Sequence, residues 1–313
     1  MKTPRALAML FSNSVATVAF CALTGAAHAQ LFIESNQTGT IGRYDPTTGA
    51  AINASFVPGA GGGVAVSGSS LFVANYGSVV LGGGSISQYN LSTGATISAS
   101  FVTGLSNPNG LAVADFTLFV GNSGNGDLGT GTIGVYNSVT GATINASFIT
   151  GLSNPVGIAL VGSDLFVSNF ASGTIGKYNA ITGTTINASF ITGLFGPTNL
   201  AVFGSELFVA KNNNTVGAYS AITGATINAS FITGLNSPYG LAVAGSELFV
   251  ANFGAGTVGK YDANTGVPIN AAFITGLSGP ANISVVPEPS TYAVLTGFFA
   301  LGVALIWRRY GSS

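Results

Sequence analysis

Residues 144–148 read Ile-Asn-Ala-Ser-Phe, and this phrase or a near copy occurs six times along the chain of 313 residues. The intervals between copies are 45, 47, 42, 41 and 42 residues, because the copies end at Phe56, Phe101, Phe148, Phe190, Phe231 and Phe273. Six periods of about 42 residues account for roughly 250 positions, which leaves little room for a second domain. The repeat therefore predicts one domain built from six copies of a single unit.

Each period contains four short phrases, and each phrase has the character of a β-strand. Examples of the first three are Gly-Leu-Ala-Val at 110–113, Leu-Phe-Val-Ala-Asn at 71–75 and Gly-Thr-Ile-Gly-Lys-Tyr at 173–178, and the Ile-Asn-Ala-Ser-Phe phrase is the fourth. Four short strands in a period in the low forties are typical of a propeller blade. We therefore predict an all-β fold, a six-bladed β-propeller.

Apolar patterning orders the four strands from the central channel outwards. The first two phrases are nearly continuous apolar runs, which indicates strands that neighbouring blades cover on both faces. The fourth phrase alternates, with Ile97, Ala99 and Phe101 on one face and Ser98 and Ser100 on the other. That period of two is typical of an outer, half-solvated strand, so we expect the apolar face to pack against the blade.

The two ends of the repeat are incomplete in complementary ways. Residues 31–33 form a second-strand phrase with no first strand before it, and residues 282–285 form a first-strand phrase with nothing after it. We predict that the last strand joins the first three in one blade, which closes the ring and removes its open edge. The propeller is then expected to occupy residues 30–286.

The repeat over residues 31–286 resembles that of NHL and YVTN-type six-bladed propellers. The resemblance implies this fold. It implies no single activity, because such rings include lactonases, lyases and pure binding platforms.

Residues 1–29 have the pattern of a secretory signal peptide. Lys2 and Arg5 give a positive start, an apolar stretch follows, and Ala27-His28-Ala29 matches the small-x-small cleavage rule. A lipoprotein signal ending at Cys21 is the alternative, although the residue before that cysteine is too bulky for it.

The C-terminal segment, residues 287–313, has three consecutive parts. Pro287-Glu288-Pro289 is followed by an apolar stretch at 292–307 and then by Arg308 and Arg309. Sixteen helical residues span about 24 Å, slightly less than the hydrocarbon core of about 30 Å. The arginines should stay cytoplasmic, so a permanent transmembrane helix at 292–307 is one interpretation.

In the order and position of its parts, this segment resembles the PEP-CTERM sorting signal. The resemblance implies a Gram-negative-type bacterium and an inner-membrane-anchored precursor that an exosortase-type processing enzyme recognises and cleaves. It also implies delivery to the outer surface or to an extracellular exopolysaccharide matrix.

Composition argues against several classes of function. Charged residues make up 5% of the chain and the net charge is −1, so no basic surface for nucleic acid is expected. The single cysteine, Cys21, and the single histidine, His28, both precede the expected cleavage site. The mature protein is therefore expected to lack a Cys nucleophile, a Ser-His-Asp triad, disulfides and a His or Cys zinc site.

The end of the second strand supplies the candidate ligand-binding residues. An asparagine stands there in four blades and an aromatic residue follows it in three, giving Asn75, Tyr76, Asn122, Asn169, Phe170, Asn252 and Phe253. Amides beside aromatic faces suit sugars, and a ring of amides suits Ca²⁺. The alternative is that each asparagine caps its own turn and each aromatic packs between loops.

Other features of the repeat have competing interpretations. Enlarged loops at 76–84 and 123–131 on the same rim indicate either a binding face or tolerated variation, and residues 123–127 resemble a calcium loop only vaguely. Two sets of charges recur with the repeat, and we expect both to lie on the surface. They are Asp164, Glu206 and Glu247 before the second strand, and Arg43, Lys177 and Lys260 in the third.

We therefore predict an exported, non-enzymatic propeller without a cofactor, acting as a binding or structural module for exopolysaccharide or a surface protein. A metal-dependent hydrolase is the alternative. Propeller lactonases resembling gluconolactonase hold a metal with acids and amides in the channel. Here no first-strand phrase carries a carboxylate, Asp115 lying just beyond one, so that catalytic set does not map onto this chain.

Overall fold

The computed structural model describes residues 29–58, 61–77, 82–124 and 128–286, which form six four-stranded antiparallel sheets. The innermost strands of successive sheets contact one another around a closed ring, so the fold is a six-bladed β-propeller. Within the described ranges all regular secondary structure is strand, and no helix there is long and apolar enough to cross a membrane. The predicted signal peptide and the predicted helix at 292–307 lie outside the described residues, apart from residue 29.

The strands are numbered in chain order, and each blade takes one from each of four concentric sets. Blade 1 contains β24 and β1–β3, and blades 2 to 6 follow as β4–β7, β8–β11, β12–β15, β16–β19 and β20–β23. The innermost strands are β24 (Pro280–Val286), β4 (Val64–Ser67), β8 (Pro108–Ala114), β12 (Pro155–Val161), β16 (Pro197–Phe203) and β20 (Pro238–Ala244). The second strands are β1 (Gln30–Ser35), β5 (Ser70–Asn75), β9 (Thr117–Asn122), β13 (Asp164–Asn169), β17 (Glu206–Lys211) and β21 (Glu247–Asn252).

The two outer sets complete each blade. The third strands are β2 (Thr40–Tyr44), β6 (Gly84–Asn90), β10 (Gly131–Asn137), β14 (Thr174–Asn179), β18 (Thr215–Ser220) and β22 (Thr257–Asp262). The fourth strands are β3 (Ala51–Pro58), β7 (Thr96–Leu105), β11 (Thr143–Leu152), β15 (Thr185–Ile191), β19 (Thr226–Ile232) and β23 (Pro268–Ile274). This order from the channel outwards is the one that the apolar patterning predicts.

The predicted closure of the ring is confirmed by the pairing of β1 with β24. The two strands are antiparallel, with Leu31 opposite Val285 and Ile33 opposite Ile283. Because β24 is the innermost strand of blade 1, its side chains also contact blades 2 and 6. The seam therefore joins the ends of the repeat through both backbone hydrogen bonds and side-chain packing.

The core consists of apolar clusters that lie between neighbouring blades. One example joins Phe166 and Ile175 of blade 4 to Leu207, Val209 and Tyr219 of blade 5. Five similar clusters include side chains from other adjacent pairs of blades. Since each fully buried side chain of this kind contributes about 1.5–3 kcal/mol, contact between blades dominates the stabilisation.

The Gly-x-Tyr end of the third strand is a local packing unit. In β14 the ring of Tyr178 folds back over Gly176, where an added Cβ would lie 2.6 Å from both Cε2 and the hydroxyl of Tyr178. A side chain at Gly176 would displace the tyrosine ring, which is buried against blade 3, the preceding blade. This contact explains why a glycine precedes the tyrosine by two residues in five blades.

The expected packing of the fourth strand is wrong for its first half. Ile97 is 53% exposed and Ile144 is 58% exposed, whereas the phenylalanine at the end of each phrase contacts the core. The cause is a bulge: Asn145 Oδ1 accepts the N–H of Ser147 over 3.0 Å, and the pairing register with β10 shifts there. Such a bulge turns an edge strand away from further pairing.

The expectation of surface charges is wrong for two of the cationic residues. Lys177 and Lys260 are buried at 9% and 6% exposure, and they form ion pairs with Asp164 and Glu247 at 2.8 and 2.7 Å. Aromatic rings of the same blade cover both ammonium groups. The sequence pattern predicted exposed lysines because the spacing of the charges does not show which aromatic rings lie beside them in the folded blade.

We predict that truncating the seam costs as much stability as truncating the middle of the ring. Ile283→Ala in β24 and Ile158→Ala at the equivalent position of β12 should each lower the free energy of unfolding by about 2–5 kcal/mol, since both side chains are buried. Chemical denaturation monitored by tyrosine fluorescence measures both. A loss confined to Ile158→Ala would contradict a closed seam.

Candidate binding site at one mouth of the channel

The channel itself is narrow and lined mainly by small and apolar side chains. The six innermost strands enclose a cavity of about 400 Å³, and most of the residues around it are Val, Ala, Leu, Ile or Gly. Asn199, Asn282 and Ser284 are its polar exceptions. The polar and aromatic side chains of interest lie instead at one mouth of the channel, at the end where the second strands finish.

Each of the four predicted asparagines uses its amide locally, within its own blade or, for Asn169, with the loop that enters that blade. Asn75 donates to Ser87 Oγ over 2.9 Å, and Asn169 accepts the N–H of Ser153 over 3.1 Å. The other two donate to third-strand hydroxyls, Asn122 to Thr132 at 3.4 Å and Asn252 to Thr257 at 3.5 Å. The structure therefore does not bring the four amides together, and a ligand-binding role for them stays a prediction.

Two of the three predicted aromatic residues do lie together. Tyr76 and Phe170 line one cavity of about 480 Å³ at this mouth. Phe253 lies elsewhere on the rim, beside Gly279. The complete lining of this mouth cavity is Tyr76, Asn107, Asn109, Ser123, Asn154, Val156, Phe170 and Tyr239.

The mouth is asymmetric because the second residue of the innermost strand differs from blade to blade. It is Asn109 in blade 3 and Tyr239 in blade 6, which stand on opposite sides of the ring. Asn109 Nδ2 donates to the Tyr239 hydroxyl over 3.2 Å, and Tyr76 also forms a hydrogen bond with Tyr239. These three side chains therefore form a bridge across the mouth.

The bridge consists of uncharged side chains and includes one hydrogen-bond acceptor without a partner among the described residues. Burial raises the pKa of both Tyr76 and Tyr239, so both phenols stay protonated at neutral pH. Asn109 is 5% exposed, and its Oδ1 has no hydrogen-bond partner among the described residues. A buried acceptor without a partner costs about 1–3 kcal/mol, which a ligand hydroxyl would recover.

A buried carboxyl group lies near the bridge, and the sequence analysis did not single it out. Glu34 is fully buried on β1, and Asn282 Nδ2 donates to its Oε2 over 2.6 Å. Asn199 Nδ2 donates in turn to Asn282 Oδ1 over 3.2 Å. Burial raises the pKa of Glu34 to about 7, although hydrogen bonds from Asn282 and Asn36 lower it. The carboxyl therefore holds its proton to a higher pH than a solvated glutamate does.

The repeat does contain a signal for this network. At the position of Glu34 the other five blades have Ala74, Gly121, Ser168, Ala210 and Ala251. At the position of Asn199 and Asn282 the other four have Gly63, Gly110, Gly157 and Gly240. Comparison of the repeats therefore reveals larger polar side chains where small ones are the rule.

The network does not fit the metal site of a propeller hydrolase. Glu34 is its single carboxylate, and both of its oxygens already accept hydrogen bonds from amides. Within the described ranges, no three His, Cys, Asp or Glu side chains form a group that could hold a metal ion. A pKa raised to about 7 also indicates an environment that does not favour the ionised form that a cation needs. The calcium-like loop at 123–127 lies partly outside the described residues.

Comparison with known structures supports the class of protein, a six-bladed β-propeller. A chain of a nidogen/laminin complex is similar at a TM-score of 0.68 and 17% identity, over 83% of this chain and 99% of that one. A computationally designed protein, Ika8, matches at a TM-score of 0.48 and 15% identity, over 80% of this chain and 73% of that one. No protein-family model and no curated protein matches the sequence. The likeness extends to the fold alone.

We predict that Glu34 makes the folded protein more stable in acid. The folded state holds the Glu34 proton more tightly than the unfolded chain, so stability should fall as the pH rises from about 4.5 to about 7. Over this pH range the free energy of unfolding should fall by about 3 kcal/mol in total. Urea denaturation at intervals between pH 4.5 and 8 measures it.

Glu34→Gln is the matched control because it keeps the shape of the side chain and removes the titrating group. The variant should show little change in stability across this pH range. No histidine lies within the described residues, so no histidine there obscures the effect. A wild-type curve as flat as that of the variant would show that Glu34 is not buried in this way.

Proposed function

We propose that this protein is an exported, non-enzymatic binding module that takes an uncharged, polyhydroxylated ligand at the mouth cavity. The observation that carries the proposal is the asymmetric cavity of about 480 Å³ lined by Tyr76, Phe170 and Tyr239 together with amide and hydroxyl groups. An exopolysaccharide is the ligand class that we favour, and a surface protein is the other partner considered.

The chemistry of the lining supports a sugar ligand. Aromatic faces pack against the apolar faces of sugar rings, while amides both donate to and accept from hydroxyl groups. The lining contains no charged side chain, so an ionic ligand would find no counter-charge there. Asn109 Oδ1 offers an acceptor that no described group occupies.

Both ends of the sequence support export and sorting. The signal peptide predicted at 1–29 and the PEP-CTERM-like segment at 287–313 are consistent with delivery to the outer surface or matrix by an exosortase-type enzyme. Before processing, a helix at 292–307 would hold the precursor in the inner membrane. A sugar-binding ring would then retain the mature protein in the matrix.

We predict that Phe170→Ala weakens binding to extracted exopolysaccharide at least fivefold. The substitution removes an aromatic face of the cavity, and truncating such a contact costs at least about 1 kcal/mol. Isothermal titration calorimetry with the extracted polysaccharide measures the change. Phe253→Ala is the matched control, because Phe253 follows an equivalent strand and does not line the cavity.

The control also distinguishes this cavity from a ring of rim aromatics. Equal losses in both variants would indicate that the whole rim binds, and no loss in either would contradict the proposed site. Failure of wild-type protein to bind any extracted polysaccharide, with capture of a surface protein instead, would favour the other partner class.

We also predict that the mature protein lacks the C-terminal segment. Mass spectrometry of protein recovered from cells and from the medium should find a C-terminus before the apolar stretch at 292–307. Secreted protein with an intact C-terminus at Ser313 would contradict sorting by cleavage.

A metal-dependent hydrolase is the second candidate, with Glu34 as its general acid or base rather than as a metal ligand. Glu34 favours that role, because a buried carboxyl with a pKa near 7 is typical of general acids and bases. Calorimetric titration with Ca²⁺ separates the two functions. Tight Ca²⁺ binding without polysaccharide binding would favour the hydrolase, and Glu34→Gln should then retain the Ca²⁺ binding.

A further inference from the structure

Blade 4 shows how this fold binds an ammonium group. Lys177 Nζ lies 5.3 and 5.1 Å from the ring centroids of Phe166 and Phe190. It forms an ion pair with Asp164 at 2.8 Å and donates to the carbonyl of Ala221 in blade 5 over 3.3 Å. The ammonium group therefore sits in a slot made of two aromatic rings, a carboxylate and a carbonyl of the next blade.

Blade 6 repeats the arrangement with different residues. Lys260 Nζ lies 5.7 and 5.0 Å from the rings of Phe249 and Phe273, pairs with Glu247 at 2.7 Å and donates to the carbonyl of Pro46 over 3.2 Å. In blade 1, Arg43 lies over one ring and donates to a carbonyl of blade 2. Three blades thus fill the same slot with a cationic side chain from the third strand.

Blade 3 has the same slot without the cation. The equivalent third-strand residue is Val135, which packs in the same apolar cluster as Phe119 and Phe148 but has neither the length nor the charge of a lysine side chain. A cavity of about 660 Å³ lies there, lined by both rings, by Val135 and by Ala180, which aligns with Ala221 in the next blade. The cavity thus lies where a lysine stem and ammonium group lie in blades 4 and 6.

An acidic residue also lines this cavity, although at a different position. Asp115 occupies the turn between β8 and β9 with a φ of 49°. Four other blades have a glycine at this turn, with φ between 55° and 58°: Gly68, Gly162, Gly204 and Gly245. Asp115 is exposed, so it places negative charge at the entrance to the cavity.

In blades 2 and 5 the equivalent slot holds no cation from the described residues, and its surroundings differ from those in blade 3. In blade 2 the equivalent residue is Gln88, which donates to Ser70 of its own blade over 2.9 Å. In blade 5 it is Ala218, and there the rings of Phe208 and Phe231 stack on each other at 5.1 Å with an interplanar angle of 21°. The rings in blade 3 instead meet edge to face at 6.1 Å.

We propose that the slot between blades 3 and 4 binds a primary alkylammonium group, carried either by a small amine or by a lysine side chain of a partner. Phe119 and Phe148 would supply the cation–π contact. Asp115 would supply the counter-charge, and the Ala180 carbonyl an acceptor. This site is separate from the mouth cavity and does not depend on the proposed function.

The first test is titration of ¹⁵N-labelled protein with pentylammonium chloride, followed by NMR. Amides in β9 to β11 and in the turn after Asn179 should show saturable shifts, whereas 1-pentanol, the neutral match, should bind at least tenfold more weakly. Equal binding of the alcohol would overturn the proposal, because the slot would then be merely apolar. N-acetyl-lysine methylamide tests the lysine source: if it binds like pentylammonium, a partner lysine fits, and if it does not, a small amine is favoured.

Substitutions provide the second test. Val135→Lys should fill the slot as Lys177 does and abolish binding, whereas Gln88→Lys adds the same charge in blade 2 and should leave binding unchanged. Lys177→Val should open a second slot and raise the stoichiometry from one to two. Retained binding in Val135→Lys, or one site in Lys177→Val, would overturn the proposal.

A surface substitution keeps the test independent of folding. Asp115→Asn changes an exposed turn residue, and it should weaken pentylammonium binding about two- to fivefold, as expected for a solvated ion pair. An unchanged affinity for pentylammonium would contradict the proposed counter-charge, whereas the weak response to 1-pentanol, which carries no charge, should be the same in this variant and in the wild type.

Discussion

The pairing of β1 with β24 is the constraint on which the rest of the structure depends. Each blade buries its apolar faces only against its two neighbours, so an open ring would leave two such faces in water. Leu31, Ile33 and Ile283 belong to one cluster with Phe249 and Val258 of blade 6. The chain ends thus complete not only a sheet but also the packing of the adjoining blades.

A closed ring of equivalent blades can tolerate differences at its channel mouth. The apolar clusters hold each innermost strand from both sides, so single positions there vary without loss of the fold. Asn109, Asn199, Tyr239 and Asn282 are such variations, and Glu34 of the second strand β1 lies near them. The same principle applies between blades, where a third-strand side chain is cationic in three blades and short in blade 3. We therefore expect functional residues at the positions where one blade differs from the other blades.

The sequence predicted those features that depend on local pattern. Blade number, strand order and closure follow from phrases whose spacing and apolar character are visible along the chain. The Glu34–Asn282 contact joins residues 248 positions apart, so it becomes visible only when the repeats are aligned on the ring. The contact between Tyr239 and Asn109 escaped prediction for the same reason, because it depends on which blades face each other across the ring.

Other predictions from the sequence were incomplete or wrong for different physical reasons. The alternation around Ile97 correctly indicated an outer strand, but the bulge within the phrase turns the isoleucine towards solvent. Lys177 looked like a surface charge because its position alone does not show that two phenylalanine rings and Asp164 surround it. Among the predicted ligand-binding residues, Tyr76 and Phe170 share a cavity, whereas the asparagines form hydrogen bonds within their own blades or, for Asn169, with the loop before β12.

The most direct test of the closed ring is amide hydrogen exchange along the seam. If β1 and β24 are paired as described, the amides of Leu31, Ile33 and Ile283 should exchange only through global unfolding, as slowly as those of Val167 and Val209 in the second strands of blades 4 and 5. Exchange at the seam that is faster by orders of magnitude, and independent of denaturant, would show local opening and contradict the account.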